Sequence, residues 1–172
     1  MKDAAPRVLL IGYGNPGRLD DGLGPALAEA MQACALHGVT VESNYQLTVE
    51  DAAELADHDA VIFADADVRC AEPFHIRAIE PRDHDGFSTH SVEPEAVLGL
   101  AERLFQAKVN GFVLGIRGYE FNEFGERLSD AARANLTAAV DFLDGLLRKR
   151  SLEALNEAAR AHVAANIGVR HA

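Results

Sequence analysis

The stretch that most limits what this chain can fold into runs from Gly12 to Gly24: Gly-Tyr-Gly-Asn-Pro-Gly-Arg-Leu-Asp-Asp-Gly-Leu-Gly. It follows the apolar run Val8-Leu9-Leu10-Ile11 and precedes a segment patterned as a helix from Pro25 to about Leu36. A strand, a glycine-rich turn and a helix in that order begin an open α/β fold. In a parallel sheet the turn lies at the carboxyl edge of its strand, where such folds bind ligands. Asp20 and Asp21 sit side by side in this turn, so both are expected to line the site.

The remaining pattern completes a sheet. Val39-Thr40-Val41-Glu42 reads as a second strand running towards Tyr45. Thr48, with Asp51 three residues later, forms a capping box for a short helix to about Ala56. Ala60-Val61-Ile62-Phe63-Ala64 is an unbroken apolar run, as in a central strand buried on both faces. A strand from Phe74 to about Glu80 follows too soon for a helical crossover, so it is expected antiparallel to the third and at an edge. Pro94 opens a helix to about Gln106, Gly111 to Ile116 gives a fifth strand, and Ser129 caps a helix from Asp130 to about Arg148. The expected fold is a three-layer α/β sandwich: a mostly parallel five-stranded twisted sheet with one antiparallel edge strand, flanked by helices. Residues 1–150 make this domain. Residues 151–172 make a helical extension, with Leu152, Leu155, Ala159 and Val163 at helical spacing and fraying expected after Ile167.

Composition narrows the function. A chain of 172 residues fits one domain, and a net charge of −11 with pI near 5.0 argues against nucleic acid or an anionic membrane as partner. No apolar run approaches the roughly 18 residues of a membrane span, and no apolar targeting segment precedes the first strand, so a cytoplasmic protein is expected. Cys34 and Cys70 lie far apart without a Cys-x-x-Cys pair and read as small hydrophobes or incidental thiols.

Gly12-x-Gly14-x-x-Gly17 matches the dinucleotide fingerprint, and Glu42, at the end of strand two, sits near where a ribose-binding acid is expected. The two aspartates oppose that reading, because a pyrophosphate needs a helix N-terminus free of negative charge. They suit a cation or an electrophile better, although one of the pair can be explained by capping and the helix dipole alone. Asp65 ends the buried third strand at the same edge, where an ionisable group is costly unless it is paired or bound. Asp67, two residues on, lies beyond that strand and reads as solvated. His90, in Ser88-Thr89-His90-Ser91, is one of seven histidines, but its loop precedes a helix and can reach the same edge. Two carboxylates and one imidazole make an N/O site for a divalent transition metal with open positions. Their spacing matches no zincin helix and no cysteine-based zinc site.

Three motifs in order resemble the hydrogenase maturation proteases: Gly12-x-Gly14-Asn15 with Asp20-Asp21-Gly22-x-Gly24, then Phe63-Ala64-Asp65-Ala66, then Ser88-Thr89-His90-Ser91-x-x-Pro94. The similarity extends over about 145 residues, from strand one to the Asp130 helix. It implies an endopeptidase that trims a short C-terminal extension from the nickel-loaded precursor of a nickel-iron hydrogenase large subunit. It also implies nickel recognition by Asp21, Asp65 and His90, with the nickel borne by the substrate and no permanently bound cofactor. The first of these positions is glutamate or aspartate among relatives. The tail lies outside the resemblance, and a monomer is expected. The loop Phe87 to His90 and Gly118-Tyr119-Glu120-Phe121-Asn122 are candidates for selecting the substrate.

The chain has no Ser-His-Asp order, no Gly-x-Ser-x-Gly elbow and no cysteine near a plausible base, which disfavours a covalent nucleophile. Two chemistries stay open. Nickel in the substrate polarises a carbonyl or activates water, or it is only a cue while a carboxylate, Asp21 or Asp65, acts as base. Two other classes stay open as well: a dinucleotide-binding oxidoreductase, and a nickel-sensing chaperone that docks on the precursor without cutting it.

Overall fold

A computed structural model of the chain describes residues 4–83 and 92–170, the side chains of 169 and 170 excepted. The elements are β1 (Val8–Tyr13), a 3-10 turn (Leu19–Gly22), α1 (Leu23–Ala33), β2 (Val39–Asn44), α2 (Asp51–Leu55), β3 (Ala60–Asp67), β4 (Phe74–Ile79), α3 (Pro94–Phe105), β5 (Asn110–Arg117), α4 (Asp130–Leu147) and α5 (Leu152–Arg170). They build a five-stranded sheet in the order β2-β1-β3-β5-β4. Four strands are parallel, and β4 pairs antiparallel with β5 at the edge.

Strand periodicity sorts the core into two layers. Val8 and Leu10 of β1 and Ala60, Ile62 and Ala64 of β3 pack with α1, α4 and α5. Leu9, Ile11, Val61 and Phe63 face the opposite way, onto α2 and α3. Both faces of β1 and β3 are therefore buried, which is why those segments read as unbroken apolar runs. The three-layer α/β expectation is correct.

The fourth strand runs antiparallel to the third and lies at the edge, as expected. The fourth strand bonds to β5, not to the third strand, and β5 inserts between them in register with β3 from Ala60↔Asn110 to Asp67↔Arg117. The short β3–β4 connection excludes a crossover, but it does not require a hairpin. A buried central strand gains more from a parallel neighbour covered by helices than an edge strand does.

Local capping follows the sequence closely. The Asp51 carboxylate accepts the Thr48 amide at 2.7 Å, one half of the expected box. Pro94 opens α3 behind Glu93, and the Ser129 hydroxyl accepts the Ala132 amide at 3.3 Å to cap α4. Helix α5 joins the layer of α1 and α4, its Leu155 and Ala159 buried in that core and its main contact made with β4, while Val163 and Ile167 face outward. No helix among the described residues is long and apolar enough to cross a membrane.

Candidate active site

The chain leaves β1 to form β2 on one side and returns to form β3 on the other, so the topological switch point lies between the carboxyl ends of β1 and β3. Open α/β sheets bind ligands in the crevice at such a point. Gly12 is in register with Ala64, which sets the Gly14 turn beside Asp65. The two acidic motifs therefore converge by topology.

The glycines make the turn possible. A Cβ on Gly24 would lie 2.2 Å from the Tyr13 carbonyl oxygen and 2.7 Å from that of Ala64; one on Gly12 would lie 2.1 Å from the Gly24 carbonyl oxygen. Helix α1 thus begins in backbone contact with the ends of β1 and β3. Close packing of helix on strand explains these two positions without any pyrophosphate.

Asp20 and Asp21 divide their duties. Asp20 is fully buried, and its carboxylate accepts the amides of Tyr119 (2.8 Å), Glu120 (2.9 Å) and Ser129 (2.7 Å) and the Ser129 hydroxyl (2.7 Å). Burial alone pushes its pKa up, but these hydrogen bonds outweigh it and hold the carboxyl below the ordinary aspartate range. Backbone bonds add to the seam, from Leu19 to Gly125 and from Asp20 to Glu120 at 2.9 Å each. One aspartate of the pair is structural, as expected, although it ties the β5–α4 loop rather than capping α1. Leu19, held at φ 51, carries the left-handed turn that brings Asp20 inward.

Asp21 stays half-exposed, and its carboxylate accepts the Asn15 amide at 2.9 Å. Asp65 extends from the carboxyl end of β3 and accepts the Ala66 amide at 2.8 Å. Burial raises the Asp65 carboxyl to about 7; the charges of Asp21 and Asp67 act in the same direction, against hydrogen bonds from Ala66 and Tyr13. The Asp65 carboxyl is therefore poised near neutrality with Asp21 close enough to perturb it. Burial, with Asp65 and Glu93 nearby, pushes the Tyr13 phenol well above its ordinary range.

A cavity of about 460 Å³ opens here, lined by Tyr13, Asp65, Asp67, His75, Glu93 and Glu95 among others. Glu93 and Pro94, at the start of α3, bring that helix to the cavity wall. His90, like the candidate loop from Phe87, lies outside the described residues.

Two sequence readings need correction. Asp67 belongs to β3 and is not freely solvated: it accepts the amides of Arg69 (2.8 Å) and Cys70 (2.9 Å) and faces His75 Nε2 at 3.0 Å. Despite burial, these partners hold its carboxyl low. Glu42 is not at the strand end, because β2 continues to Asn44 and Glu42 is in register with Ile11. Burial, followed by Glu54 and Asp51, pushes the Glu42 carboxyl up. His75 was missed altogether. Its signal was parity: once β4 pairs with β5, His75↔Gly115 places it on the same sheet face as Asp65 and Asp67. Cys34 behaves as the expected incidental thiol, contacting the Ala30 carbonyl at 3.4 Å.

No family model matches the chain. No curated protein matches it either. Solved structures do. The NiFe hydrogenase maturation protease HycI from Thermococcus kodakarensis KOD1 aligns over 81% of this chain and 90% of its own, with TM-score 0.63 and 19% identity. The hydrogenase 2 maturation peptidase from Thaumarchaeota archaeon SCGC_AB-539-E09 covers 82% and 97%, with TM-score 0.60 and 24% identity. The hydrogenase maturating endopeptidase HybD from E. coli covers 83% and 93%, with TM-score 0.58 and 21% identity. The chain has the fold of the hydrogenase maturation proteases.

Proposed function

We propose that this protein is a cytoplasmic, monomeric endopeptidase that removes a short C-terminal extension from the nickel-loaded precursor of a nickel-iron hydrogenase large subunit. The observation that carries this reading is the convergence of Asp21 and Asp65 at the switch point between β1 and β3, with Asp65 raised to about 7. The shared fold and the three motifs in order support it.

Nickel arrives as part of the substrate. Asp21, Asp65 and His90 recognise it and so position the adjoining chain. The start of α3 at the cavity wall, shortly after His90 in sequence, supports counting that histidine with the two aspartates. A carboxyl near neutrality is also suited to proton exchange at physiological pH. As water attacks the scissile carbonyl carbon, a carboxylate of the site, Asp21 or Asp65, takes the water proton. It then returns that proton to the departing amine as the carbon–nitrogen bond breaks.

The dinucleotide alternative gains nothing from the geometry. Gly12, the first glycine of the fingerprint, is taken up by helix-on-strand packing, and Asp21 stands on the approach to α1. The test is incubation of the purified chain with a nickel-loaded precursor. Release of a C-terminal peptide supports the endopeptidase. Stable binding without release means a chaperone, and NAD(H) binding that strengthens on neutralising Asp20 and Asp21 means an oxidoreductase.

A further inference from the structure

We propose that Asp67, Cys70 and His75 form a metal site of this protein's own, separate from the recognition of substrate-borne nickel, that takes a divalent d-block cation of the zinc, cobalt and nickel group. One donor atom from each residue falls within a cluster no more than 4.8 Å across. Donor atoms around one tetrahedral ion lie roughly 3.3–3.8 Å apart, given bonds of about 2.0–2.3 Å. Closing the cluster from 4.8 Å to that span takes side-chain movement of about 1 Å.

The surroundings already orient the donors. The amides of Arg69 and Cys70 both bind Asp67 Oδ1, which leaves Oδ2 facing His75 Nε2 at 3.0 Å. The Arg117 guanidinium binds the Cys70 carbonyl at 2.6 Å and fixes the turn that carries the thiol. Outer contacts of this kind set ligand direction in metal sites. Behind the cluster stands Gly115, where a Cβ would lie 2.3 Å from His75 Nε2 and 3.0 Å from Asp67 Oδ2. Its missing side chain is what leaves room for the imidazole and the carboxylate.

The donor set chooses the ion. A thiolate and an imidazole with one carboxylate favour zinc, cobalt or nickel over magnesium or calcium, which prefer oxygen alone. Three protein ligands leave a fourth position, and Asp67 and His75 line the same cavity as Asp65.

Titration of the reduced, metal-free full chain with Co(II) tests the site, because a cysteine ligand gives a thiolate-to-cobalt charge-transfer band that carboxylates and imidazole cannot give. One equivalent of Co(II) is expected to produce the band and zinc to abolish it by displacement. Cys70→Ser is expected to lose the band, and His75→Ala to weaken Co(II) binding on the order of tenfold or more. Asp65→Asn and Cys34→Ser should keep both band and affinity. Absence of the band in the unsubstituted protein overturns the proposal without recourse to any variant, and so does a band that survives Cys70→Ser or disappears with Cys34→Ser.

Discussion

Asp20 and Ser129 are joined twice: the Ser129 amide donates to one carboxylate oxygen and its hydroxyl to the other, each at 2.7 Å. The same hydroxyl accepts the Ala132 amide, so the glycine-rich loop fastens directly to the cap of α4. This link crosses 109 residues of sequence and holds the turn that presents Asp21.

Replacing Asp20 by alanine leaves the amides of Tyr119, Glu120 and Ser129 without their acceptor. At about 1 kcal/mol for each such donor, the loss is on the order of 3 kcal/mol, read from urea unfolding at pH 7. The pH dependence has a definite sign. The folded carboxyl is held below its unfolded value, so its contribution is present above about pH 4. It is lost as pH falls through the folded pKa. The Asp20→Ala protein should therefore show a shallower acid destabilisation than the unsubstituted one, and equal slopes would remove Asp20 from this role.

Asp65 behaves in the opposite sense. Its folded pKa of about 7 lies above the ordinary 3.8, so the native state holds a proton that the unfolded chain has released. Stability falls as pH rises from about 4 to 7. Asp65→Asn removes that penalty and should stabilise the protein at pH 8 on the order of 1–3 kcal/mol while lowering activity. A carbon-13 titration of the Asp65 carboxyl gives the pKa directly, and a midpoint near 4 would contradict the geometry.

Gly24→Ala drives a methyl into the Tyr13 and Ala64 carbonyl oxygens. The start of α1 must shift, at a cost of about 3 kcal/mol in thermal or urea unfolding. A loss under about 0.5 kcal/mol would mean that the helix does not pack on the strand ends as described.

Asp21→Asn retains an oxygen to accept the Asn15 amide, so stability should change by less than about 1 kcal/mol. Processing of the precursor should fall at least a hundredfold, and His90→Ala should act alike. Near-normal cleavage by a folded Asp21→Asn protein would exclude this carboxylate from the site.

Much of this was legible in the sequence because burial on both faces leaves a plain mark: Leu9 to Ile11 and Val61 to Phe63 can hardly be anything but central strands. Asp65 was legible for the same reason, as a charge placed directly after five apolar residues. The neighbour of β4 was not, since a short connection fixes direction and leaves the partner open. That open choice hid His75, whose place beside Asp67 depends on β5 standing between β3 and β4. The duty of Asp20 was half legible: a structural carboxylate was expected of one of the pair, as a helix cap, but the partners of Asp20 lie about a hundred residues away, beyond any local pattern.

The most direct test is mass spectrometry of a hydrogenase large-subunit precursor co-expressed with this protein, with and without nickel. Loss of one defined C-terminal peptide only when nickel is supplied is the expected result. A precursor that stays intact with nickel present, or is cut equally well without it, would contradict nickel-cued processing at Asp21, Asp65 and His90.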